Sequence, residues 1–247
     1  MDKLTEYAVR VDSRDVDGTG RCRPSALLGY LQQAATVAAE ACGFDRAAVL
    51  ERYGTVWMLA RVRYELDRPL RWEDELTVVT WHRGGRHGSM YRDFDLLSNG
   101  VPAGRATSLW ALAGVEDRKI RNLSHVPELA DSALDRPDRK ETLSRLRLPA
   151  AMETAERRPM RYSDTDVNAH VNNTRYADFA CDAIHAEQLP TGRYVRALQI
   201  GYVVECRPGE ILTIRTAVQG DERFIQGVDE EGKERFQAQL TLGVENA

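Results

Sequence analysis

A chain of 247 residues, 43% hydrophobic and 29% charged, is long enough for one large domain or two small ones sharing a core, and its composition excludes disorder throughout. A formal net charge of -4 without a basic block gives no electrostatic support to non-specific nucleic-acid binding. No stretch of about 18 apolar residues occurs and no basic segment leads into an apolar one, so a soluble cytoplasmic protein without membrane insertion is expected.

From Pro24 the run PSALLGYLQQAATVAAEACG sets Leu27, Leu28, Leu31, Ala34, Ala35 and Ala38 at helical spacing, with Ser25 as N-cap and Gly43 as the stop. Strands are predicted at Trp57–Asp67, where Met58, Ala60, Val62, Tyr64 and Leu66 alternate with other partners, and at ELTVVTWHR, MYRDFDLL and AGRATSLWAL, with a hairpin turn at Asn99-Gly100. Residues 114–156 are charge-rich, carry Pro137 and Pro149, and read as a partly helical connector over the surface.

The second half repeats the order. Asn172 or Asn173 caps a helix with Tyr176, Phe179, Ala180, Ala183 and Ile184 on one stripe, and strands follow at RALQIGYVVEC, EILTIRTAV, RFIQGVD and KERFQAQLTLGV. Arg68-Pro69 matches Arg207-Pro208 at an offset of 139 residues, and Asn99-Gly100 matches Glu231-Gly232 at 132. An internal repeat is the reading this favours: in each half one helix lies across an antiparallel sheet, and the two halves join edge to edge.

The run DTDVNAHVNN, from Asp164 to Asn173, concentrates carboxylates, a histidine and amides just before the second helix. Buried charges and imidazoles need partners, so such density calls for solvent or chemistry. An imidazole such as that of His170 can take a proton from water, Asn168 can orient that water or donate to an oxyanion, and Asp166 can fix the imidazole or serve as a carboxylate base. Solvated turn residues and simple helix caps are the competing explanation.

DVNAHVNNTRY (Asp166 to Tyr176), followed by YVVECRPGE (Tyr202 to Glu210) and supported by WMLARVRYELDRPLRWED in the first half, resembles the acyl-acyl carrier protein thioesterases, the bacterial relatives of the plant plastid enzymes. The resemblance spans nearly the whole chain. It implies an α+β fold, a tandem (double) hotdog with two long helices each packed on an antiparallel sheet. It divides the chain into an N-terminal unit at 1–113, a connector at 114–156 and a C-terminal unit with the catalytic motif at 157–247. It implies hydrolysis of a fatty acyl thioester, with Asp166, Asn168, His170, Glu205 and Cys206 as the functional residues. Asp178-Phe179 stands where the plant enzymes usually have Gly-Trp, and a transit-type extension is lacking, which implies a bacterial cytoplasmic enzyme.

In a regular strand Glu205 and Cys206 point to opposite faces, so both meet His170 only where the strand bends, bulges or ends. An ionised Glu205 raises a neighbouring thiol's pKa, which favours direct attack by water over an acyl-cysteine. At an offset near 149, Asp15 and Asp17 match Asp164 and Asp166, but Thr19 and Arg21 replace Asn168 and His170, so one site per chain is expected. The first half then supplies the acyl pocket, with Leu27, Leu31, Ala34, Met58 and Ala60 as candidate liners, plain core being an equal reading of each.

An acyl carrier protein, the partner the resemblance implies, is acidic and presents its chain on a phosphopantetheine arm. Arg157, Arg158, Arg161, Arg193 and Arg196 are the candidate docking cations. The four cysteines are scattered and the histidines show no HExxH spacing, and neither a GxGxxG after a strand nor a P-loop is present, so no metal, disulfide or cofactor is called for. An acyl-coenzyme A thioesterase, a non-catalytic acyl-binding protein and a dehydratase on the same fold are the rival functions, and a homodimer is left open.

Overall fold

The computed structural model describes residues 4–245 apart from 87, 127, 132 and 135. Ten strands form one antiparallel sheet: β1 (Thr5–Arg10), β2 (Thr55–Leu66), β3 (Glu75–Arg86), β4 (Ser89–Ser98), β5 (Val101–Gly114), β6 (Glu153–Pro159), β7 (Arg193–Tyr202), β8 (Ile211–Gln219), β9 (Glu222–Val228) and β10 (Glu234–Val244). Helices α1 (Pro24–Ala41), α2 (Arg46–Tyr53), α3 (Glu128–Asp131) and α4 (Arg175–Ala183) complete the regular structure.

The strand order β1-β3-β4-β5-β2-β7-β10-β9-β8-β6 reads the same from both ends once the second five strands are matched to the first five. The halves meet where β2 pairs antiparallel with β7, Arg61 opposite Gly201 and Glu65 opposite Ala197. Helices α1 and α4 touch, and one apolar cluster runs beneath both, from Leu27, Leu31 and Ala34 to Phe179, Ile200, Phe236 and Leu240. Charged edge strands finish the sheet: ETAERRP of β6 is largely exposed, which discourages pairing with another chain.

The two helices differ in length, contrary to the expected long pair. Helix α1 has 18 residues and α4 only 9. The α4 stripe of Tyr176, Phe179, Ala180 and Ala183 is buried as expected, but Ile184 caps the helix and His185 turns left-handed at φ 51°. A 3-10 turn at Ala186–Gln188 and then Pro190 end any continuation. Ser25 is not the N-cap of α1: Arg23 is, and Pro24 takes the first helical position, where its missing N–H costs nothing. Gly43, at φ 71°, does end the run.

Asn99 and Gly100, both at positive φ, form the tight β4–β5 turn that the Asn-Gly pair prescribes. The segment after β5 crosses the outer face of the sheet. Arg83 donates to the carbonyls of Arg139 and Glu141, and Gln199 donates to the Ser144 carbonyl at 2.9 Å. Beneath it a second cluster joins Phe44, Val49, Met90, Leu112, Val126 and Leu129. Among the described residues, no helix is long and apolar enough to cross a membrane.

Candidate active site

Each half carries the same loop ahead of its helix, and the repeat extends to single hydrogen bonds. In the second half an isolated bridge pairs Thr165 with Val171, Asp166 N–H donates to the His170 carbonyl at 3.1 Å, and Val171 N–H donates to the Cys206 carbonyl at 2.8 Å. In the first half the counterparts are Val16 with Cys22, Asp17 to Arg21 at 2.8 Å, and Cys22 to Leu70 at 2.8 Å. Leu70 is therefore the partner of Cys206 and Arg71 of Arg207, which moves the Arg68-Pro69 match by three residues. The dipeptide Arg-Pro recurs without structural equivalence.

The Val171–Cys206 bond fastens the histidine loop to the segment after β7. That strand ends at Tyr202, so Glu205 and Cys206 lie on irregular backbone, as a shared approach to His170 requires. They nonetheless diverge. Cys206 is 0% exposed in the core beside Tyr176, and burial pushes its thiol pKa up. Glu205 stays partly open to solvent and lies within charge range of His170.

His170 Nδ1 lies 3.1 Å from the Val171 carbonyl oxygen. A carbonyl only accepts, so Nδ1 carries the hydrogen and Nε2 is left as the basic nitrogen of the neutral ring. Val171, not Asp166, thus fixes the tautomer. Asp166 shapes the loop instead: Oδ1 accepts from Asn168 N–H at 2.8 Å and Oδ2 from Asn172 Nδ2 at 3.2 Å. The exposed Asn168 side chain stands at the tip, next to Ala169 at φ 58°, where the first half has Gly20 at φ 77°.

Both oxygens of Glu205 face cations. Arg207 Nη2 donates to Oε1 at 2.9 Å and Arg118 Nη1 lies 3.5 Å from Oε2. The Arg207 hydrogen bond, Arg118 and His170 hold the carboxyl below the usual carboxylate range against the opposing effect of burial. Arg118 follows β5 of the first half, so the site straddles the junction of the two halves. No sequence signal marks it, because the contact joins a turn to a segment far along the chain.

Arg21, which replaces His170 in the first half, anchors the end of the chain through Glu245 at 2.7 Å and the Arg193 carbonyl at 2.8 Å. The first loop is structural. Four of the five expected docking arginines are ion-paired within the chain: Arg157 to Glu230, Arg158 to Glu156 and Asp182, Arg193 to Asp221, and Arg196 to Glu65.

Two apolar pockets lie along α1, with Trp110 between them. The near one, a small pocket, is lined by Leu28, Leu31, Gln32, Leu59, Trp110 and Tyr202 together with Asn173 and Thr174 at the start of α4. The far one, a cavity of about 150 Å³, lies among Ala35, Thr36, Ala39, Trp57, Met90 and Arg92, and Trp110 lines both. Leu31 is a liner as expected, whereas Leu27 and Ala34 belong to the core. Met58 is 44% exposed, and neither it nor Ala60 lines either pocket. The β2–β5 register shifts between Leu59 and Arg61, so a bulge at Ala60 turns Trp57 and Leu59 inward and Met58 out. Arg92, whose guanidinium meets Thr80 Oγ1 at 3.3 Å, is pushed down to about 10 by burial but still carries its charge at neutral pH.

Residues 3–129 match the acyl-ACP thioesterase N-terminal domain and residues 149–246 the acyl-ACP thioesterase C-terminal domain. A chloroplastic acyl-(acyl-carrier-protein) hydrolase, FATB3, of Cuphea viscosissima is 29% identical over 198 residues, which cover 74% of this chain and 47% of the relative. The chain spans about half the length of the curated relatives it matches. A crystal structure of an acyl-ACP thioesterase from Bacteroides thetaiotaomicron superposes with a TM-score of 0.88 at 25% identity, covering 98% of both chains. The 12:0-ACP thioesterase from Umbellularia californica shares the fold, with a TM-score of 0.83 at 20% identity and 99% coverage of both chains.

Proposed function

Because this chain belongs to the acyl-ACP thioesterase family, we propose that it hydrolyses fatty acyl-acyl carrier protein to a free fatty acid and the carrier. One observation carries the proposal: the Val171–Cys206 hydrogen bond fastens the His170 loop to the segment that carries Glu205, and Asn173 and Thr174 at the end of that loop border an apolar pocket.

In this reading the acyl chain lies along α1, and the thioester carbonyl sits at the start of α4. Water loses a proton to the Glu205 carboxylate, with His170 Nε2 positioning the water and sharing the proton, and its oxygen bonds to the carbonyl carbon. The oxyanion accepts a hydrogen bond from the Asn168 carboxamide, since the Thr174, Arg175 and Ala177 N–H groups already donate to Asn172 and Thr174. The carbon–sulfur bond then breaks, and the carrier thiolate takes the proton back. Asp166 positions Asn168 through the loop. Cys206 acts through its carbonyl and its packing, not as a nucleophile.

The same reading takes the fold as a tandem hotdog, residues 1–113 and 157–247 being the two units with β6 added to the second; the mirrored strand order supports it. All four cysteines are free thiols, which supports a reducing, cytoplasmic setting.

Two outcomes follow. Replacing Cys206 with Ala leaves kcat within about threefold of wild type, and the unfolding free energy falls by about 1 kcal/mol; near-total inactivity in a folded protein would return the thiol to the chemistry. Replacing Trp110 with Ala joins the two pockets and moves the released acids toward longer chains, measured by gas chromatography. A panel of chain lengths on acyl carrier protein and on coenzyme A tests the whole reading. Carrier-protein substrates should have the higher kcat/KM, and a reversed preference would make the chain a coenzyme A thioesterase.

A further inference from the structure

The geometry points to Arg118 and Arg207 as a clamp for the acidic face of the carrier protein, whose carboxylates take over these two guanidinium groups and thereby free Glu205 to act on water. This rests on the thioesterase reading above.

Arg118 and Arg207 are 68% and 63% exposed at their side chains, while the carboxylate between them is 32% exposed. Exposed pairs of this kind contribute little to stability. Exchange of one carboxylate for another is therefore nearly free. Arg207 can release its side chain without losing its place, because its N–H donates to Glu210 Oε2 at 2.9 Å. Arg118 is placed by its own N–H, which donates to the Gly114 carbonyl at 3.1 Å.

What singles out these two arginines is their partner. Arg157, Arg158, Arg193 and Arg196 neutralise acids remote from the proposed chemistry, and Arg235 is held by Asp229 and Glu210. Arg118 and Arg207 instead occupy the two oxygens of the proposed base. Three groups face that carboxyl, Arg207, Arg118 and His170, and all three hold it ionised. A carboxylate capped on both oxygens is a poor proton acceptor, and one cleared of its arginines is a better one. The same three segments also present exposed apolar side chains, Ile120 (53%), Val167 (95%) and Val203 (52%), the mixed surface a protein partner covers. Docking would thus be coupled to activation, and thioesters without the acidic carrier would be turned over slowly.

The test is Arg118→Gln with Arg207→Gln in the full chain, assayed on an acyl carrier protein substrate, the matched acyl-coenzyme A and the neutral butyryl thioester of N-acetylcysteamine. The variant should raise KM for the carrier-protein substrate about tenfold while raising kcat/KM for the neutral thioester severalfold, and the acid limb of its pH profile should move up as Glu205 loses its cations. Added salt should speed wild type on the neutral thioester and leave the variant unchanged. Replacing both arginines with Lys should retain carrier docking. Parallel losses on all substrates, or an unchanged carrier-protein KM, would overturn the clamp. An equal KM rise for acyl-coenzyme A would also overturn it, assigning the arginines to the phosphate of the arm. Wild-type protein inert on every thioester would overturn the thioesterase reading itself.

Discussion

Replacing His170 with Ala should lower kcat for a fatty acyl carrier-protein substrate by about 10³-fold, within the range general acid–base groups contribute, with KM little changed. Nδ1–H faces the Val171 carbonyl, which leaves Nε2 as the nitrogen free to take a proton in the proposed reaction. Glu205→Gln removes the neighbouring charge without changing shape and should cost about 10²-fold. The double variant should be scarcely worse than His170→Ala alone, because both residues serve one proton transfer. Multiplying losses, near 10⁵-fold, would mean that the two act independently. The fold should survive, since His170 and Glu205 are both partly open to solvent.

Replacing Phe236 with Ala should destabilise the protein by about 3 to 5 kcal/mol, the usual cost of emptying a buried phenylalanine site. Phe236 is 0% exposed, and its ring meets Tyr176 edge-on at 5.0 Å. Its other side lies over Gly227, where an added Cβ would come within 2.1 Å of Phe236 Cε1. Glycine is required there by the ring. Against a typical total of about 5 to 15 kcal/mol, the loss should lower the melting temperature by on the order of 10 °C. Gly227→Ala should be strongly destabilising alone and nearly neutral in the Phe236→Ala background, a coupling that thermal melts of the four proteins measure. Additive effects would remove Phe236 from this contact. Tyr176 also packs in the core with Cys206, so the loss should loosen the start of α4 and reduce turnover further.

The strands of both halves were legible because each buries one face, and period-two alternation marks such strands. The edge strands β1 and β6 were not: β6 carries charge on both faces, and β1 alternates over only six residues. Helix α2 also escaped, although Asp45 accepting from the Ala47 and Ala48 N–H groups and Gly54 at φ 61° are ordinary start and stop signals. The site divides in the same way. Asp166, Asn168 and His170 share one loop and could be read together, and the end of β7 was anticipated from the conflict between Glu205 and Cys206. Arg118 could not be read, because only the fold brings the turn after β5 to Glu205.

The cavity shows what periodicity misses. Leu28, Leu31, Gln32, Ala35, Thr36 and Ala39 form a continuous flank of α1, yet Gln32 and Thr36 disguise it as a polar side. On β2 the bulge at Ala60 reverses which residues face inward, and no composition rule places a bulge to one residue.

For a thioester hydrolase acting at His170 and Glu205, the most direct measurement is multiple-turnover release of fatty acid and carrier thiol from purified acyl carrier protein substrate. Wild type should release equal amounts of acid and thiol over many turnovers and His170→Ala essentially none, with no acyl group retained on the protein by mass spectrometry. Tight retention of the acyl chain without thiol release, or full turnover by the His170→Ala protein, would contradict hydrolysis at this site.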